Sequence, residues 1–451
     1  MSTLKHLQDV LYGLKWKDIP PEVQHQARRC LMDLVGVFAS GTQTPMSRIA
    51  TEHAAMFFCS PDQPVRLLGD GRTASAPGVA MAGAYTIDAI DAHDGMKMTK
   101  GHAGSIILPS LIALLETSGR DYDDEELMTC LVLGYEIAIR DGIALHDSVP
   151  DYHTSGAWAA VGVAALGARI LGLDHQQMEE AIGIAEYNGP RSQMMRAIDY
   201  PTMVKDGAGW GAMAGVSAAL LAKQGFTGAP AITVINPDLG KHWGDLGSTW
   251  HIVNQYIKPW PVCRWAQPAA TAVMHVMQNN KIAEESIEKI SIHSFHEAIR
   301  LATRIPRDTE EAQYSLPWSV AAAAVHGTIG AREISAPFND PRITALANSM
   351  DLIEDDYCNQ VFPGERLARI DITTRDGATH SSEITRATWD PETPPTDAEM
   401  TGKYHGLTDP VIGEDAAASL HELIWSMGEG GSARALVDRL SSSFHNKSKL
   451  N

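Results

Sequence analysis

Apolar residues recur at the spacing of an amphipathic helix through most of the first 260 residues. The first such run follows Pro20 and stops at Gly41, and its apolar positions are Val23, Ala27, Cys30, Leu31, Leu34, Val35 and Phe38. Residues three and four apart share one face of a helix, so this face must be buried against other elements. Similar runs cover 108–116, 124–139, 155–171, 175–186 and 210–222. The pattern predicts an all-helical body.

The pattern changes in the second half of the chain. A helix is predicted over 268–278, and residues 287–295 then alternate apolar and polar side chains, as a strand with one buried face does. A second alternating run at 367–374 precedes Asp376-Gly377, a dipeptide typical of hairpin turns, and a strand candidate over 379–384. These elements predict a small mixed α/β unit.

The domain boundaries follow from these two patterns. Residues 389–395 contain three prolines and resemble a linker, and helical spacing resumes between Ala416 and Ile424. We therefore predict a mainly α fold with a smaller α+β domain. Its parts are a helical domain over 1–264, an α/β lid over 265–400, and a C-terminal return to the helical domain over 401–451.

Charge and cysteine content limit the partners of the chain. The formal net charge is -19, and no stripe of Lys and Arg offsets it, so we expect neither nucleic acid nor an anionic membrane as a partner. The five cysteines never form Cys-x-x-Cys, which argues against a disulfide framework or a zinc cage. No apolar stretch is long enough for a membrane span. These features predict a cytoplasmic protein.

The densest polar cluster lies at 88–105, directly before an apolar helix, and contains Asp91, His93, Asp94 and His102. The N-terminus of a helix has a positive potential that favours an anion. The alternative is a solvated loop whose acids only cap helices. The four side chains include possible metal ligands, but their spacing matches no established metal motif, so we predict no metal. No glycine-rich nucleotide motif is complete either, and we predict no cofactor.

Three further segments contain candidate residues. His153 lies just before a predicted helix, and Lys205 is followed by several glycines that permit a tight bend. Lys258 and Arg264 lie at the predicted domain junction, where ligand clefts commonly form. Each has a structural alternative. His153 could have a purely structural role, Lys205 could be a solvated lysine, and the segment with Lys258 and Arg264 could be a rigid hinge.

Taken in order, these segments resemble the MmgE/PrpD family over nearly the whole chain. The resemblance depends on the order and spacing of Leu31-Met32-Asp33, the 91–109 cluster, His153-Thr154, 225–228, 258–264 and 313–317. That family includes 2-methylcitrate dehydratases, cis-aconitate decarboxylases and an iminodisuccinate epimerase. The resemblance implies a helical domain with a smaller α/β lid, usually as a homodimer, acting on a small polycarboxylate.

The resemblance also implies the site residues. Asp91 and Asp94 match the first and last acids of the family's Asp-x-Asp-Asp loop, and His93 replaces the middle acid. His102 and His153 match the two family histidines. The resulting prediction is catalysis by His102, His153, Asp91, Lys205 and Lys258, and substrate binding by Asp94, Arg264, Gln267 and Trp318.

Two departures from the family pattern bear on the reaction. Gln267 stands where many relatives carry histidine, and Trp318 stands where decarboxylase-like members carry tyrosine. Glutamine can only hydrogen-bond, and tryptophan offers a single N–H donor. The leading hypothesis is therefore a hydratase/dehydratase-type lyase. The alternatives are a dicarboxylate epimerase, a cis-aconitate-type decarboxylase, a non-catalytic carboxylate-binding protein and a metal-dependent hydrolase.

Overall fold

A computed structural model describes residues 2–444 of the chain, so residues 445–451 of the predicted C-terminal segment lie outside the described residues. Helices account for most of the first 235 residues. They are α1 (Thr3–Gly13), α2 (Pro21–Gly41), α3 (Pro45–Phe57), α4 (Ala76–Asp88), α5 (Gly104–Ser118), α6 (Asp124–Ser148), α7 (Ser155–Leu171), α8 (His175–Asn188), α9 (Met195–Asp199), α10 (Ala208–Lys223) and α11 (Ile232–Ile235). Every helical run predicted in this region is confirmed.

The sequence pattern predicted an all-helical body, but the body is not purely helical. Two antiparallel ribbons interrupt it: β1 (Val65–Arg66) pairs with β2 (Thr73–Ala74), and β3 (Gly95–Met96) pairs with β4 (Gln255–Tyr256). Strands of two residues are too short to produce a recognisable alternation in the sequence. The second ribbon ties the loop before α5 to the segment that carries Lys258.

The centre of the body is made of closely packed helices rich in small residues. Helix α7 packs against α5, α6, α8 and α10, and its sequence is largely Ala, Gly, Val and Leu. Gly156 of α7 faces Gly211 of α10 so closely that a Cβ on Gly211 would lie 2.5 Å from the Cα of Gly156. The low bulk of these residues therefore permits the short distance between α7 and α10.

The α/β unit contains a mixed sheet in the order β6-β5-β7-β8, with β9 also pairing with β7. Its elements are α12 (Gln267–Asn280), β5 (Ile287–Ser294), α13 (His296–Ile299), α14 (Thr309–Gln313), α15 (Leu316–His326), α16 (Pro341–Asn348), β6 (Met350–Glu354), α17 (Asp356–Val361), β7 (Leu367–Thr374), β8 (Thr379–Ser381) and β9 (Thr385–Arg386). Strand β5 is parallel to β6 and antiparallel to β7. The predicted helix at 268–278, both predicted long strands and the Gly377 turn are confirmed.

The chain continues with α18 (Asp397–Ile412), α19 (Glu414–Ser426) and α20 (Ala433–Leu440). Helix α18 packs against α2, where Lys403 pairs with Asp33. The segment 389–395 is not a free linker, because Asp390 is buried and accepts a hydrogen bond from Arg264 at 2.6 Å. A buried ion pair of this kind holds the segment in place in spite of its prolines.

The predicted fold class, mainly α with a smaller α+β part, is confirmed. Within residues 2–444, no helix has both the length and the apolar character that a membrane span requires. The division into a body and a lid that closes over it stays a prediction.

Candidate active site

The acidic and imidazole side chains of the loop between α4 and α5 are buried, which excludes the solvated-loop alternative for them. Asp91, His93 and His102 are between 0% and 9% exposed. Gln313 fixes the start of the loop, because its Nε2 donates to the carbonyl of Ala89 at 3.0 Å and its Oε1 accepts from the backbone N–H of Asp91 at 2.9 Å. A side chain of the α/β unit therefore holds this loop of the body.

This loop borders a small cavity between the body and the α/β unit. Its charged and imidazole-bearing lining residues are Asp91, Lys100, His102, Asp206, Lys258, Arg264 and Arg366. The free space is about 30 Å³, which holds about two water molecules. A polycarboxylate of four or more carbons therefore enters only if the walls separate.

His102 has a defined tautomer. Its Nδ1 lies 2.5 Å from the backbone carbonyl of Asp94, which can only accept, so Nδ1 carries the proton and a neutral ring leaves Nε2 bare. Burial, together with the charges of Lys258 and His93, holds the pKa of His102 well below its ordinary value. His102 therefore presents an unprotonated nitrogen to the cavity at neutral pH.

Asp91 forms an ion pair with Lys258 beside this nitrogen. Both side chains are buried, and Lys258 Nζ donates to Asp91 Oδ1. Burial alone would raise the pKa of Asp91, but Lys258, Lys205 and the two neighbouring histidines hold it below its usual range. The carboxylate lies 4.0 Å from His102 Nε2, close enough to stabilise an imidazolium after proton uptake.

Asp206 is a site residue that the sequence analysis did not select, although it directly follows Lys205. Its Oδ2 accepts from Ser155 Oγ at 2.5 Å, and the same Oγ accepts from the backbone N–H of His102 at 2.8 Å. Burial and the charge of Asp88 raise the pKa of Asp206 to about 7. A large fraction of Asp206 is therefore protonated at neutral pH and can act as an acid.

Lys205 does not line this cavity, and its predicted catalytic role stays a prediction. Its Nζ donates to the carbonyl of Asp88 and to Gln313 Oε1, the latter at 2.7 Å, and its side chain is fully buried. Lys205 therefore fastens the end of α4 to the amide that fixes the loop. Its charge still contributes to the low pKa of Asp91.

Arg264 lines the cavity, and both of its terminal nitrogens already donate to acceptors within the protein. It donates to Gln267 Oε1 and Asp390 Oδ1, each at 2.6 Å, and to backbone carbonyls of Ile257 and Thr388. Gln267 Nε2 donates to the carbonyls of Trp260 and Val262. These bonds join the segments that meet at the junction, where Arg264 lines the cavity and Gln267 does not.

Trp318 also lies outside the cavity. Ser315 caps α15 by accepting from the backbone N–H of Trp318 at 2.9 Å, so the chain turns between Tyr314, which lines the cavity, and Trp318. The indole donates to the carbonyl of Glu333 and borders a separate cleft. The replacement of a family tyrosine by Trp318 therefore gives no argument about the chemistry in this cavity.

Asp94 and His153 complete the predicted set, and neither lines the cavity. The carboxylate of Asp94 turns inward and accepts from the Tyr135 hydroxyl at 2.5 Å, while burial and Asp33 raise its pKa to about 7. Asp94 instead supports the site through the backbone carbonyl that orients His102. The backbone N–H of His153 donates to His146 Nε2 at 3.0 Å, at the end of α6.

Among residues 2–444, Asp91, His93 and His102 form a cluster that could hold a metal ion, since one ligand atom from each lies within 4.8 Å of the others. The ring of His93 stacks on that of His102 with centroids 4.4 Å apart. However, Lys258 donates to Asp91 Oδ1, and the positive charge of this ammonium group repels a divalent cation at the same carboxylate. The donor set therefore suits proton transfer better than metal binding.

Sequence comparisons relate the whole chain to known proteins. The MmgE/PrpD N-terminal domain matches residues 5–238, and the MmgE/PrpD C-terminal domain matches residues 260–428. A cis-aconitate decarboxylase-like protein of Aspergillus oryzae is 26% identical over 48% of this chain, but the match spans only 45% of that protein. The cis-aconitate decarboxylase of Aspergillus terreus is 21% identical over 92% of this chain and 91% of its own length. That of Mus musculus is 22% identical over 93% and 89%.

Proposed function

Because the chain belongs to the MmgE/PrpD family, we propose that it is a cofactor-independent lyase of the hydratase/dehydratase type. Its substrate is a small di- or tricarboxylic acid, such as a 2-methylcitrate-like compound, and the reaction begins at the carbon next to a carboxylate. The observation that carries this proposal is the bare Nε2 of the buried, neutral His102 in the cavity lining.

His102 Nε2 removes the proton from the carbon next to the carboxylate. The electron pair of the C–H bond moves toward the carboxylate, and the positive charge of Lys258 stabilises the negative charge that develops there. Asp91, 4.0 Å from Nε2, stabilises the imidazolium formed in this step. The two members of the Asp91–Lys258 pair thus stabilise the two charges that proton transfer creates.

Protonated Asp206 supplies the second half of the reaction. Its proton passes to the hydroxyl group on the neighbouring carbon, the C–O bond breaks, water leaves and a C=C bond forms. His102 returns its proton to solvent and Asp206 regains one, so the balance is one substrate to one unsaturated acid and one water. The pKa of Asp206, near 7, suits an acid that must be reprotonated in each cycle.

Decarboxylation of a cis-aconitate-type acid is the second candidate. Relatives with this activity in their names match the chain over 91% and 89% of their own lengths. In that reaction, the C–C bond to one carboxylate breaks, carbon dioxide leaves, and protonated Asp206 or His102 delivers a proton to the carbon. The same cavity residues serve both reactions, so product identity decides between them.

The test is a panel of hydroxylated and unsaturated di- and tricarboxylic acids incubated with the full chain in deuterated water. Loss or gain of water is read by mass spectrometry, and carbon dioxide release is measured in parallel. We expect an interconversion that changes the mass by one water and incorporates solvent deuterium. Carbon dioxide release would instead support the decarboxylase, and deuterium uptake without any other change would support an epimerase. Binding of these acids without turnover or exchange would contradict all three reactions.

A further inference from the structure

The cavity carries more positive charge than its ion pairs neutralise. Two of its four cations, Lys258 and Arg264, are paired with carboxylates, as described above. The other two, Lys100 and Arg366, have no carboxylate within ion-pair distance in the described part of the chain. Buried cations without a counter-ion are costly. Their persistence in the lining points to an anion that comes from outside the protein.

Arg366 has the geometry of an anion-binding group. It lies immediately before β7, is 5% exposed, and its Nη2 donates to the carbonyl of Lys97 at 3.1 Å. Its Nε and Nη1 are buried and have no hydrogen-bond partner among residues 2–444. These two nitrogens are free donors of a planar guanidinium, which is suited to carboxylate recognition. The face of Tyr256 lies 5.5 Å away and helps to fix the guanidinium plane.

Lys100 is held in the same lining by a strained backbone. Its φ of 54° lies in the left-handed region, which a residue with a side chain rarely adopts. Its Nζ lies 3.8 Å from the ring centroid of Tyr152, and its one hydrogen-bond acceptor within residues 2–444 is the carbonyl of Met98, at 3.3 Å. Burial and the charge of Arg366 lower the pKa of Lys100 to about 8. The charged form of Lys100 is therefore disfavoured by burial and by Arg366, and a bound anion would offset this cost.

We propose that Lys100 and Arg366 form a second-carboxylate subsite, which binds a substrate carboxylate other than the one next to the carbon that His102 deprotonates. The inference rests on the proposed function, because it assumes that the acid occupies this cavity. It makes the substrate an acid with at least two carboxylates. Arg366 comes from the α/β unit and Lys100 from the body, so a bridging carboxylate would also join the two walls.

The experiment measures equilibrium binding of two probes, succinate and butyrate, to the full chain by isothermal titration calorimetry. The probes have four carbons each and differ in the second carboxylate. We expect succinate to bind the unchanged protein at least about tenfold more tightly than butyrate, the difference made by one charge-assisted contact. Arg366→Met and Lys100→Met should each remove most of this difference, and Arg366→Lys should restore part of it.

Two exposed cations of the α/β unit provide matched controls. Lys289→Met and Arg342→Met remove surface ion pairs with Asp351 and Asp340 and should leave the preference for succinate unchanged. Without ligand, Arg366→Met should unfold at the same or a higher temperature, because it removes an unpaired buried charge. Equal affinity for both probes in the unchanged protein, or a preference for succinate that survives both cavity variants, would overturn the subsite. Binding needs no turnover, so failure to find a reaction would contradict the proposed function alone.

Discussion

Replacing Lys258 with methionine tests the electrostatic centre of the site. The side chains of Lys258 and Asp91 are 1% and 3% exposed, and methionine fills most of the space of the lysine stem. Removing one partner of a buried ion pair costs about 3–5 kcal/mol. Because Lys205 and the neighbouring histidines still favour ionised Asp91, we expect the lower end, about 3 kcal/mol. The measurement is urea-induced unfolding at pH 7.

The pH dependence of this loss has a defined sign. In the unchanged protein the pKa of Asp91 lies below its unfolded value of about 3.9, so its stabilising contribution is present above that pH and is lost below it. Without Lys258, burial raises the pKa of Asp91 above its unfolded value. The folded variant therefore loses stability as the pH rises above about 4, where the unfolded chain ionises this group more readily. The stability difference between the two proteins should therefore shrink when unfolding is repeated at pH 4.

A double variant provides the control. Asp91→Asn combined with Lys258→Met leaves no unpaired charge at these positions, so it should recover at least about 2 kcal/mol relative to Lys258→Met alone. A loss of less than about 1 kcal/mol for Lys258→Met at pH 7, the range of an exposed pair, would contradict a strong buried ion pair between Lys258 and Asp91. A loss that is equal at pH 7 and pH 4, with no recovery in the double variant, would refute it as well.

Three further predictions concern the residues around this pair. His153→Ala should lower kcat by less than about tenfold, because His153 lies outside the cavity lining; a loss of 100-fold or more in steady-state assays would contradict this placement. Gly104→Ala should lower the free energy of unfolding by about 1–3 kcal/mol, because a Cβ there would overlap the Tyr135 hydroxyl, and an unchanged urea midpoint would refute the overlap. On the acid side, kcat/KM should fall only well below pH 6.5, where His102 becomes protonated. On the alkaline side, it should fall above about pH 7 as Asp206 loses its proton.

The helical framework could be predicted from sequence because it depends on local periodicity. Apolar spacing located α7 at its observed bounds, and alternation located β7 equally well. The two short ribbons were missed because two residues cannot show a period. The segment around Asp390 was misjudged because its partner, Arg264, is 126 positions away in the chain.

The candidate site was predictable where its chemistry is concentrated in one segment. Asp91 and His102 belong to the polar cluster before α5, and Lys258 belongs to the junction segment, and all three line the cavity. The sequence could not show which neighbouring side chains face inward. Asp94 turns away toward Tyr135, although it lies only three positions after Asp91.

Arg366 could not be selected as a site residue from the sequence. It belongs to no polar cluster, and only the fold brings the start of β7 to the cavity wall. Its free donors become apparent only when every hydrogen bond around it is known. Lys100 lay within the predicted cluster, yet its lack of a carboxylate partner also depends on the complete structure. The charge imbalance that suggests a second carboxylate was therefore beyond the reach of the sequence.

The proposed reaction depends on His102 removing a proton from the carbon next to a carboxylate. The most direct measurement is the rate of hydrogen–deuterium exchange at that carbon, followed by proton NMR for the polycarboxylate that the protein converts, with the unchanged chain and with His102→Gln. We predict enzyme-dependent exchange that falls by about 100-fold to 10,000-fold in His102→Gln, with an unchanged urea midpoint. Exchange at a near-normal rate in the folded variant would contradict the role of His102 as the base and would assign that role to another residue of the cavity.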